Sequence, residues 1–356
     1  MEESKSSAPL LDLPKKLALQ ILNQCDYPSI QSLRKACRNL RDFIDEHNIK
    51  CPIPKAVIRF ATDEISLTLC LNDNDSTYPE GGRLTIIYRK VATSLWYLWK
   101  KQTCMVSTER KDYAVKNKHT LTFFNDFDEI LKQLGGPLEN LEIILVDLKL
   151  LEKFQHYLRH QGTLIQTKTL KLQIFNSDIE RILLAMDPEH LRSLEIALLD
   201  SAAGNNEIKS VFLGKYRRAE QWMRLKELRT EEIRVCLIGN LESIHHLSKV
   251  NTHLALVETE DIVAMKRSFL LSGPPKHWRI TSRLIPSLEE LAESLGQPYE
   301  NEDDEGHCWF YRNAGARHIL QILVSESLLE LKFVETDEVP MNAIVQDQYY
   351  FYNPFF

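Results

Sequence analysis

A repeated alternation of strand-like and helix-like segments in the second half of this 356-residue chain constrains its fold more than any other feature. Successive strand-like segments begin about 20 to 30 residues apart, which is the spacing of stacked strand-helix repeats. One longer step separates Leu194 from Ile233 and contains the extra segment Ala219-Glu220-Gln221-Trp222. The strands are predicted at residues 141–145, 170–174, 194–198, 233–237 and 253–257, with a weaker one at 277–280.

Helices are predicted between these strands. A further helix is predicted to start at the capping pair Asn125-Asp126 and to end at Gly135-Gly136. Trp222 is interpreted as a core anchor of the longest repeat, because large aromatic side chains are mostly buried. The other helices are predicted at residues 148–160, 178–186, 258–271 and 286–294.

The predicted strands alternate between apolar and polar residues. A doubly wound sheet has helices on both faces, so its strands should be apolar on both sides. Here only one phase is apolar, which favours a leucine-rich-repeat-like solenoid with one mostly parallel sheet and one open face. The open phase is a candidate target-binding row, although ordinary solvent-facing residues would give the same pattern. The row comprises Glu142, Lys171, Gln173, Glu195, Arg234, His253 and Arg279.

Two other regions precede this repetitive part, so the chain is predicted to be an α+β protein. Residues 8–50 form a helical docking segment, residues 56–124 are rich in predicted strands with a loop at 72–82, and residues 125–340 form the repetitive α/β domain. A segment as short as 8–50 rarely folds alone without a metal, a disulfide or a partner. Either the rest of the chain or a separate subunit is expected to complete its core.

Composition and motifs exclude several functions. The net charge is −6 and the basic residues form no stripe along the sequence, so nucleic-acid binding is not expected. The seven cysteines are scattered and form no Cys-x-x-Cys pair, so neither a zinc site nor a disulfide framework is expected. No apolar run is long enough to span a membrane and no signal peptide is recognisable, which predicts the cytoplasm or nucleus.

No catalytic constellation is recognisable. The chain lacks a Gly-x-Ser-x-Gly elbow, a phosphate loop and a dinucleotide fingerprint. His156 and His160 have a possible zinc spacing, but Tyr157 stands where the zincin pattern requires Glu. The acidic segment Asn301–Glu305 lacks the glycine and spacing of a calcium loop. We therefore expect a binding protein without cofactor or metal, and not an enzyme.

The helical docking segment contains an ordered set of residues: Leu-x-x-Leu-Pro at 10–14, Leu17, Ile21-Leu22, Ile30, Leu33-Arg34, Cys37-Arg38 and Leu40-Arg41. This set resembles an F-box, although Lys15-Lys16 stand where that family usually has an acidic residue. The body contains a second set: Asp126-Phe127, Ile130-Leu131-Lys132, Pro137-Leu138-Glu139-x-Leu141, Glu220-Gln221-Trp222, Glu260-Asp261-Ile262 with Lys266 and Phe269-Leu270, and Trp309-x-Tyr311-Arg312. The second set resembles the FTH (F-box-associated) domain of the large nematode F-box family.

This resemblance implies a three-helix F-box-type segment that binds a Skp-type adaptor and, through it, a cullin–RING ubiquitin ligase. The body would then bind an unknown target protein. A scaffold without a ligase role is the alternative, in which the helical segment only packs on the body. The adaptor-binding residues implied are Leu10, Leu13, Pro14, Leu17, Ile21, Leu22, Ile30, Leu33 and Cys37. Of these, Leu13, Pro14, Leu17, Ile21, Ile30 and Leu33 are expected to be unusually exposed.

Overall fold

The strands and helices of the chain fall into two units, which are described separately. Unit 1 contains residues 1–170 and 185–190, and unit 2 contains residues 171–184 and 191–356. The predicted loop at 72–82, apart from Gly82, and the acidic segment 301–305 lie outside the described residues. The structure, a computed structural model, describes residues 10–71, 82–91, 103–108, 111–160, 162–174, 179–199, 210–212, 216–236, 241–300, 306–313 and 316–348.

Unit 1 begins with a single 3-10 turn at Leu10–Asp12 and three helices, α1 Lys15–Leu22, α2 Tyr27–Ala36 and α3 Arg38–Glu46. The Asp26 side chain accepts a hydrogen bond from the backbone N–H of Ser29 and so caps α2. The three helices implied by the F-box resemblance are present, and α2 and α3 are separated at Cys37, where the backbone is extended (φ −156°, ψ 162°). The Cys37 thiol caps α3 by accepting a hydrogen bond from the N–H of Leu40 at 3.4 Å.

Strands follow the helices, as the strand-rich sequence predicts, and the first five form an antiparallel meander in which each pairs with the next. The sixth strand pairs in parallel with the first, where Ile58 lies opposite Ile143. Buried residues alternate along β1 and β2, so one face of this sheet packs against the core. The strands are β1 Lys55–Ala61, β2 Glu64–Cys70, β3 Arg83–Lys90, β4 Cys104–Thr108, β5 Asp112–Val115 and β6 Leu138–Leu145.

Two helices of unit 1 share an aromatic core with this sheet. These are α4 His119–Lys132 and α5 Leu148–His160, and α5 has the predicted bounds. The prediction that Asn125-Asp126 caps a helix is wrong, because α4 begins six residues earlier and its N-cap residue, Lys118, makes no side-chain cap. Edge-to-face and tilted ring contacts of 4.9 to 5.6 Å connect Phe60, Tyr88, Phe123 and Phe154.

Strand β7 Thr167–Ile174 reaches from unit 1 into unit 2, where strands and helices alternate. Strands β8, β10, β11 and β12 are parallel neighbours in that order, and β9 also pairs with β10. This is the predicted order of strands, while the leucine-rich-repeat-like solenoid stays a prediction. The elements are α6 Glu180–Leu184, β8 Ser193–Leu198, β9 Ser210–Phe212, α7 Glu220–Arg224, β10 Glu227–Cys236, β11 Lys249–Leu254, α8 Thr259–Ser272, β12 His277–Ser282 and α9 Leu288–Leu295.

Two predicted strand positions are wrong. Strand β10 begins at Glu227, six residues before the predicted start, and its register against β11 shifts between Arg229 and Arg234. Strand β11 ends at Leu254, although the prediction placed a strand over 253–257. The strands were predicted from runs of apolar residues. A β-bulge inserts extra residues into a strand and leaves no such run, so the start of β10 could not be found in this way.

Antiparallel strands near the C-terminus continue the sheet of unit 2, and no strand was predicted in this region. Strand β16 pairs with β12 and with β15, which pairs with β14; β14 also pairs with β13 and, in parallel, with β17. The sheet of unit 2 is therefore mixed. These strands are β13 Tyr299–Glu300, β14 His307–Asn313, β15 Ile319–Val324, β16 Leu328–Val334 and β17 Val345–Gln348.

Three tryptophans anchor the core of unit 2. Trp222, Trp278 and Trp309 are buried, which confirms the interpretation of Trp222 as a core residue. Each indole N–H donates to a backbone carbonyl, those of Ser243, Leu247 and Gly296, at 2.7 to 3.1 Å. The rings are thus buried without leaving their polar groups unsatisfied.

One lysine of this core is buried, and burial disfavours its charged form. Lys276 is only 6% exposed, and its ammonium group donates to the hydroxyls of Ser268 and Ser272 and lies 5.2 Å from the Phe269 ring centroid. Burial lowers the pKa of Lys276 to about 8. No carboxylate among the described residues forms an ion pair with it.

Lys276→Met should raise the free energy of unfolding at pH 7 by about 2 kcal/mol, because it removes the cost of burying a charge. Since the folded-state pKa is about 8 and the ordinary value is 10.5, the unfolded chain binds more protons in that window. The free energy of unfolding of the wild type should therefore increase as pH rises from 8 to 10.5, and the variant should lack this increase.

Urea titrations at several pH values measure both effects. Lys249→Met changes an exposed lysine of the same unit and should leave both unchanged. An unaltered pH dependence in Lys276→Met would show that the ammonium is solvated.

Candidate functional site

An exposed apolar stripe runs along the first turn and helix α1 of unit 1. Leu17 is 48% exposed and Ile21 is 44% exposed, and both Leu11 and Pro14 are also exposed. Leu17 and Ile21 lie four residues apart on α1, so their side chains form one ridge, and Leu11 and Pro14 precede them in the chain. Exposed apolar side chains grouped on a short, polar segment are typical of a surface that binds protein.

The structure places the nine predicted adaptor-binding residues in three environments. Ile30 is 1% exposed, so the expectation that it is unusually exposed is wrong. It faces inward because it follows the buried Tyr27 by three residues on α2. Leu11 is exposed but was not among the predicted residues. Pro14, Leu17, Ile21 and Cys37 are exposed, Leu10, Leu13 and Leu33 are half-buried, and Leu22 and Ile30 are buried.

Polar contacts hold helices α2 and α3 together. The Arg34 guanidinium forms an ion pair with Asp45 at 3.0 Å, and the Arg41 side chain donates to the carbonyl of Arg34 at 3.1 Å. The capped turn at Asp26 leads from α1 into α2, so these contacts stabilise the two helices that follow the apolar stripe.

A two-way backbone link attaches the three-helix segment to the rest of unit 1. The N–H of Cys51 donates to the carbonyl of Gln133 at 2.9 Å, and the N–H of Gly135 donates to the carbonyl of Cys51 at 2.9 Å. The Gln31 amide donates to the Gln133 side chain at 2.5 Å, and the Lys50 ammonium donates to the carbonyl of Lys132. We call this set of contacts the strap.

Gly135 is required for the close approach in the strap. A Cβ atom at this position would lie 3.3 Å from both the carbonyl carbon and the oxygen of Cys51. That distance is tighter than ordinary van der Waals contact, and backbone atoms cannot move aside as a flexible side chain can. The glycine that was predicted as a helix end therefore lets the segment dock.

A half-buried acid, Asp126, lies beside the strap. The Tyr88 hydroxyl donates to the Asp126 carboxylate at 2.9 Å, and burial raises the pKa of Asp126. Burial and the Asp126 charge in turn raise the pKa of Tyr27, which is itself buried. Asp126, which was predicted as a helix cap, thus connects α4, β3 and the α2 region through one polar cluster.

Unit 2 exposes a row of charged residues across its sheet. The register places Glu195 of β8 opposite Arg229 of β10, which lies opposite Asn251 of β11. Asn251 in turn lies opposite Arg279 of β12, and Arg279 lies opposite Glu330 of β16. Residues on either side of these positions in each strand are buried, so the row occupies the solvent-facing side of the sheet.

The predicted target-binding residues only partly coincide with this row. Glu195 is paired with both Lys171 and Arg229 at 3.7 Å, and Gln173 is half-buried two positions after Lys171. Glu142 belongs to unit 1, where it lies 4.0 Å from Lys55.

The expected alignment of Arg234 with Arg279 is wrong. The shifted register of β10 places Arg234 opposite His253, one level further along the strands, and Arg229 takes the place beside Glu195 and Asn251. His253 itself bonds to the Thr281 hydroxyl at 2.8 Å. Arg229 was missed because the segment that contains it was not predicted as a strand.

The histidine pair on α5 is not arranged as metal ligands. His160 uses Nδ1 to bond to the backbone carbonyl of His156 at 2.8 Å. Within the described ranges, no group of three or more His, Cys, Asp or Glu side chains is placed to hold a metal ion. No helix in the same ranges is both long and apolar enough to cross a membrane.

Comparison with protein families agrees with this geometry. The family model of the F-box domain matches residues 10–52, which are the three-helix segment and the start of the strap. The N-terminal segment is thus an F-box domain.

The model of the FTH domain matches residues 148–295, which run from α5 to α9. The chain therefore combines an F-box domain with an FTH domain that follows it. No curated protein and no solved structure matches the chain significantly.

Burial separates residues that stabilise the F-box domain from those that it displays. Ile30→Ala should lower the free energy of unfolding by about 3 kcal/mol, because it opens a cavity among buried side chains. Leu17→Ala should change it by less than about 0.5 kcal/mol, because Leu17 is exposed in the free chain. Chemical denaturation of the two variants measures the contrast, and equal losses would contradict the assignment of the stripe to the surface.

Proposed function

We propose that this protein is the substrate-recruiting subunit of an SCF-type (cullin–RING) ubiquitin ligase. The F-box domain binds a Skp-type adaptor, and the α/β body binds the target protein. The observation that carries the proposal is the exposed apolar stripe of Leu11, Pro14, Leu17 and Ile21 on an F-box domain. Burying such a stripe against a partner releases the free energy that its exposure costs.

In this role the protein works by proximity and not by chemistry of its own. Holding a target near a ubiquitin conjugate raises the effective concentration of the two reacting groups. A flexible attachment would dilute that effect, and the strap supports the proposal because it fixes the F-box domain to the segment that ends helix α4 in unit 1.

The open sheet face of unit 2 is the proposed target-binding surface. Among the charged residues of this face whose side chains the structure describes, cations outnumber anions, in a chain whose net charge is −6. A face of this kind selects acidic protein surfaces, because complementary charges give specificity more than affinity. The cations are Lys171, Arg229, Lys249, Arg279 and Lys332, and the anions are Glu195, Glu227 and Glu330.

The arrangement of the body and the cellular compartment belong to the same proposal. The parallel order of β8, β10, β11 and β12 supports a leucine-rich-repeat-like arrangement of the body. An SCF-type ligase operates inside the cell, so we place the protein in the cytoplasm or the nucleus.

Leu17→Asp should abolish adaptor binding while leaving the protein folded. The new carboxylate is solvated in the free chain, but it is buried in the complex, where it costs several kcal/mol or about a hundredfold or more in Kd. Asn39→Asp introduces the same group on the exposed face of α3 and should bind normally. Co-purification with a Skp-type adaptor measures both, and wild-type capture by Leu17→Asp would refute the proposal.

The double variant Arg229→Glu, Arg279→Glu should lose targets and keep the adaptor. Both sites are exposed, and because each reversal places Glu opposite Glu195 or Glu330, the free energy of unfolding should fall by about 1 to 2 kcal/mol while the fold is kept. Arg267→Glu on α8 reverses an exposed charge outside the sheet face and serves as the control. Mass spectrometry of proteins captured by each variant measures the effect, and an unchanged set in the double variant would exclude this face.

A further inference from the structure

A positively charged cleft of about 420 Å³ lies in unit 1 where helices α4 and α5 begin. We call it the lysine cleft after Lys90, Lys118, Lys149 and Lys153 in its wall. The wall also contains His119, Asp63 and Asp147, together with three threonines. Neither the adaptor-binding stripe nor the sheet face of unit 2 includes these residues.

Three of the four lysines have no ion-pair partner among the described residues. Lys90 is neutralised by Asp63 at 3.1 Å, whereas Lys118, Lys149 and Lys153 are exposed and form no salt bridge there. Asp147 is already engaged, because its carboxylate accepts a hydrogen bond from the backbone N–H of Lys149 at 2.8 Å. The charged groups of the cleft without an ion-pair partner among the described residues are therefore mainly the three lysines, so the cleft is positive.

The start of α4 adds to this positive potential. The helix has 14 residues, and its N-cap residue Lys118 provides no side-chain acceptor for the first backbone N–H groups. Unsatisfied N–H groups and the helix dipole favour an anion at this position. By contrast, Asp147 already supplies an acceptor at the start of α5.

His119 supplies an independent indication of a ligand. Its side chain is 8% exposed, and Nε2 is buried without a hydrogen-bond partner in the described part of the chain. Burial, followed by the charges of Lys153 and Lys90, lowers the pKa of His119, so the ring is neutral at pH 7 and can carry its proton on Nε2. Leaving such a group unsatisfied costs about 1 to 3 kcal/mol, which a bound acceptor would recover.

The lysine cleft adjoins an apolar groove between the same two helices. Lys118, Thr120 and Lys153 line both the cleft and this groove, whose volume is about 830 Å³. Leu121 is 46% exposed in the groove. The rings of Phe124 and Tyr157 stack there at 4.5 Å and 4°. A ligand that fills both must therefore have an anionic group next to an apolar group.

We propose that the lysine cleft binds the phosphate of a phosphorylated serine or threonine in a partner protein, and that a neighbouring apolar side chain of that partner enters the groove. A phosphate monoester carries nearly two negative charges and three strong acceptor oxygens. A carboxylate carries one charge and two oxygens, which match three free ammonium groups, a ring N–H and a helix N-terminus less well. The identification of the partner as a ubiquitylation target rests on the proposed function, whereas the phosphate site does not.

Titration calorimetry of the full chain with inorganic phosphate and with phenyl phosphate tests the site. Phenyl phosphate should bind about tenfold more tightly, because its ring reaches the groove. Lys118→Gln and Lys153→Gln should each weaken both ligands about five- to tenfold. Leu121→Gln should weaken phenyl phosphate alone, and Lys111→Gln, an exposed lysine outside the cleft, should weaken neither.

A second pair of ligands tests the kind of partner. A peptide with one phosphothreonine followed by leucine should bind, and the unphosphorylated peptide should not. Absence of saturable binding of either phosphate compound up to about 10 mM would overturn the site. Equal binding of the two peptides would overturn the assignment to a phosphorylated protein. Adaptor capture by the lysine variants reports on the F-box separately, so the two proposals can fail independently.

Discussion

The strap between the F-box domain and the end of α4 is the contact on which the display of the apolar stripe depends. A segment as short as the F-box domain rarely folds alone, and it leaves Leu17 and Ile21 exposed. Its stability must therefore come partly from unit 1, through the paired backbone bonds of Cys51 with Gln133 and Gly135. Because these bonds join main chain to main chain, they fix distance and direction together. The apolar stripe can then remain free for a partner without leaving the domain unfolded.

Unit 2 separates stability from recognition by the two-residue period of its strands. Trp278, Val250 and Leu228 lie on the buried phase, while Arg279, Asn251 and Arg229 lie on the other. Substitutions in the second set can alter binding with little effect on the core. The lysine cleft of unit 1 is different, since His119 lies in the core and lines the cleft at once. A change there affects folding as well as any ligand, which is why the lysines and Leu121 are the informative positions.

Much of this architecture could be predicted from local patterns, and the failures have physical causes. Helix α5 was predicted at its observed bounds because its apolar positions repeat regularly. The start of α4 was missed because Lys118 is not a capping residue type, and Asn125-Asp126 imitates one. Arg229 was missed because the bulge in β10 is a property of strand pairing. Burial and then the charges of Lys153 and Lys90, which are distant in sequence, lower the pKa of His119, and no local pattern reports such an effect.

The break between α2 and α3 has a practical consequence for labelling. Among the cysteines whose side chains the structure describes, Cys37 is exposed, Cys25 is half-buried and Cys51, Cys70, Cys104 and Cys308 are buried. Thiol reagents attack the accessible thiolate, and burial raises the pKa of Cys51 to about 11 and keeps that thiol protonated. Of these six thiols, Cys37 should therefore react first with a maleimide dye, at the junction of two F-box helices. Its fluorescence would report the arrival of a partner on this domain in real time, in a chain that needs no engineered cysteine.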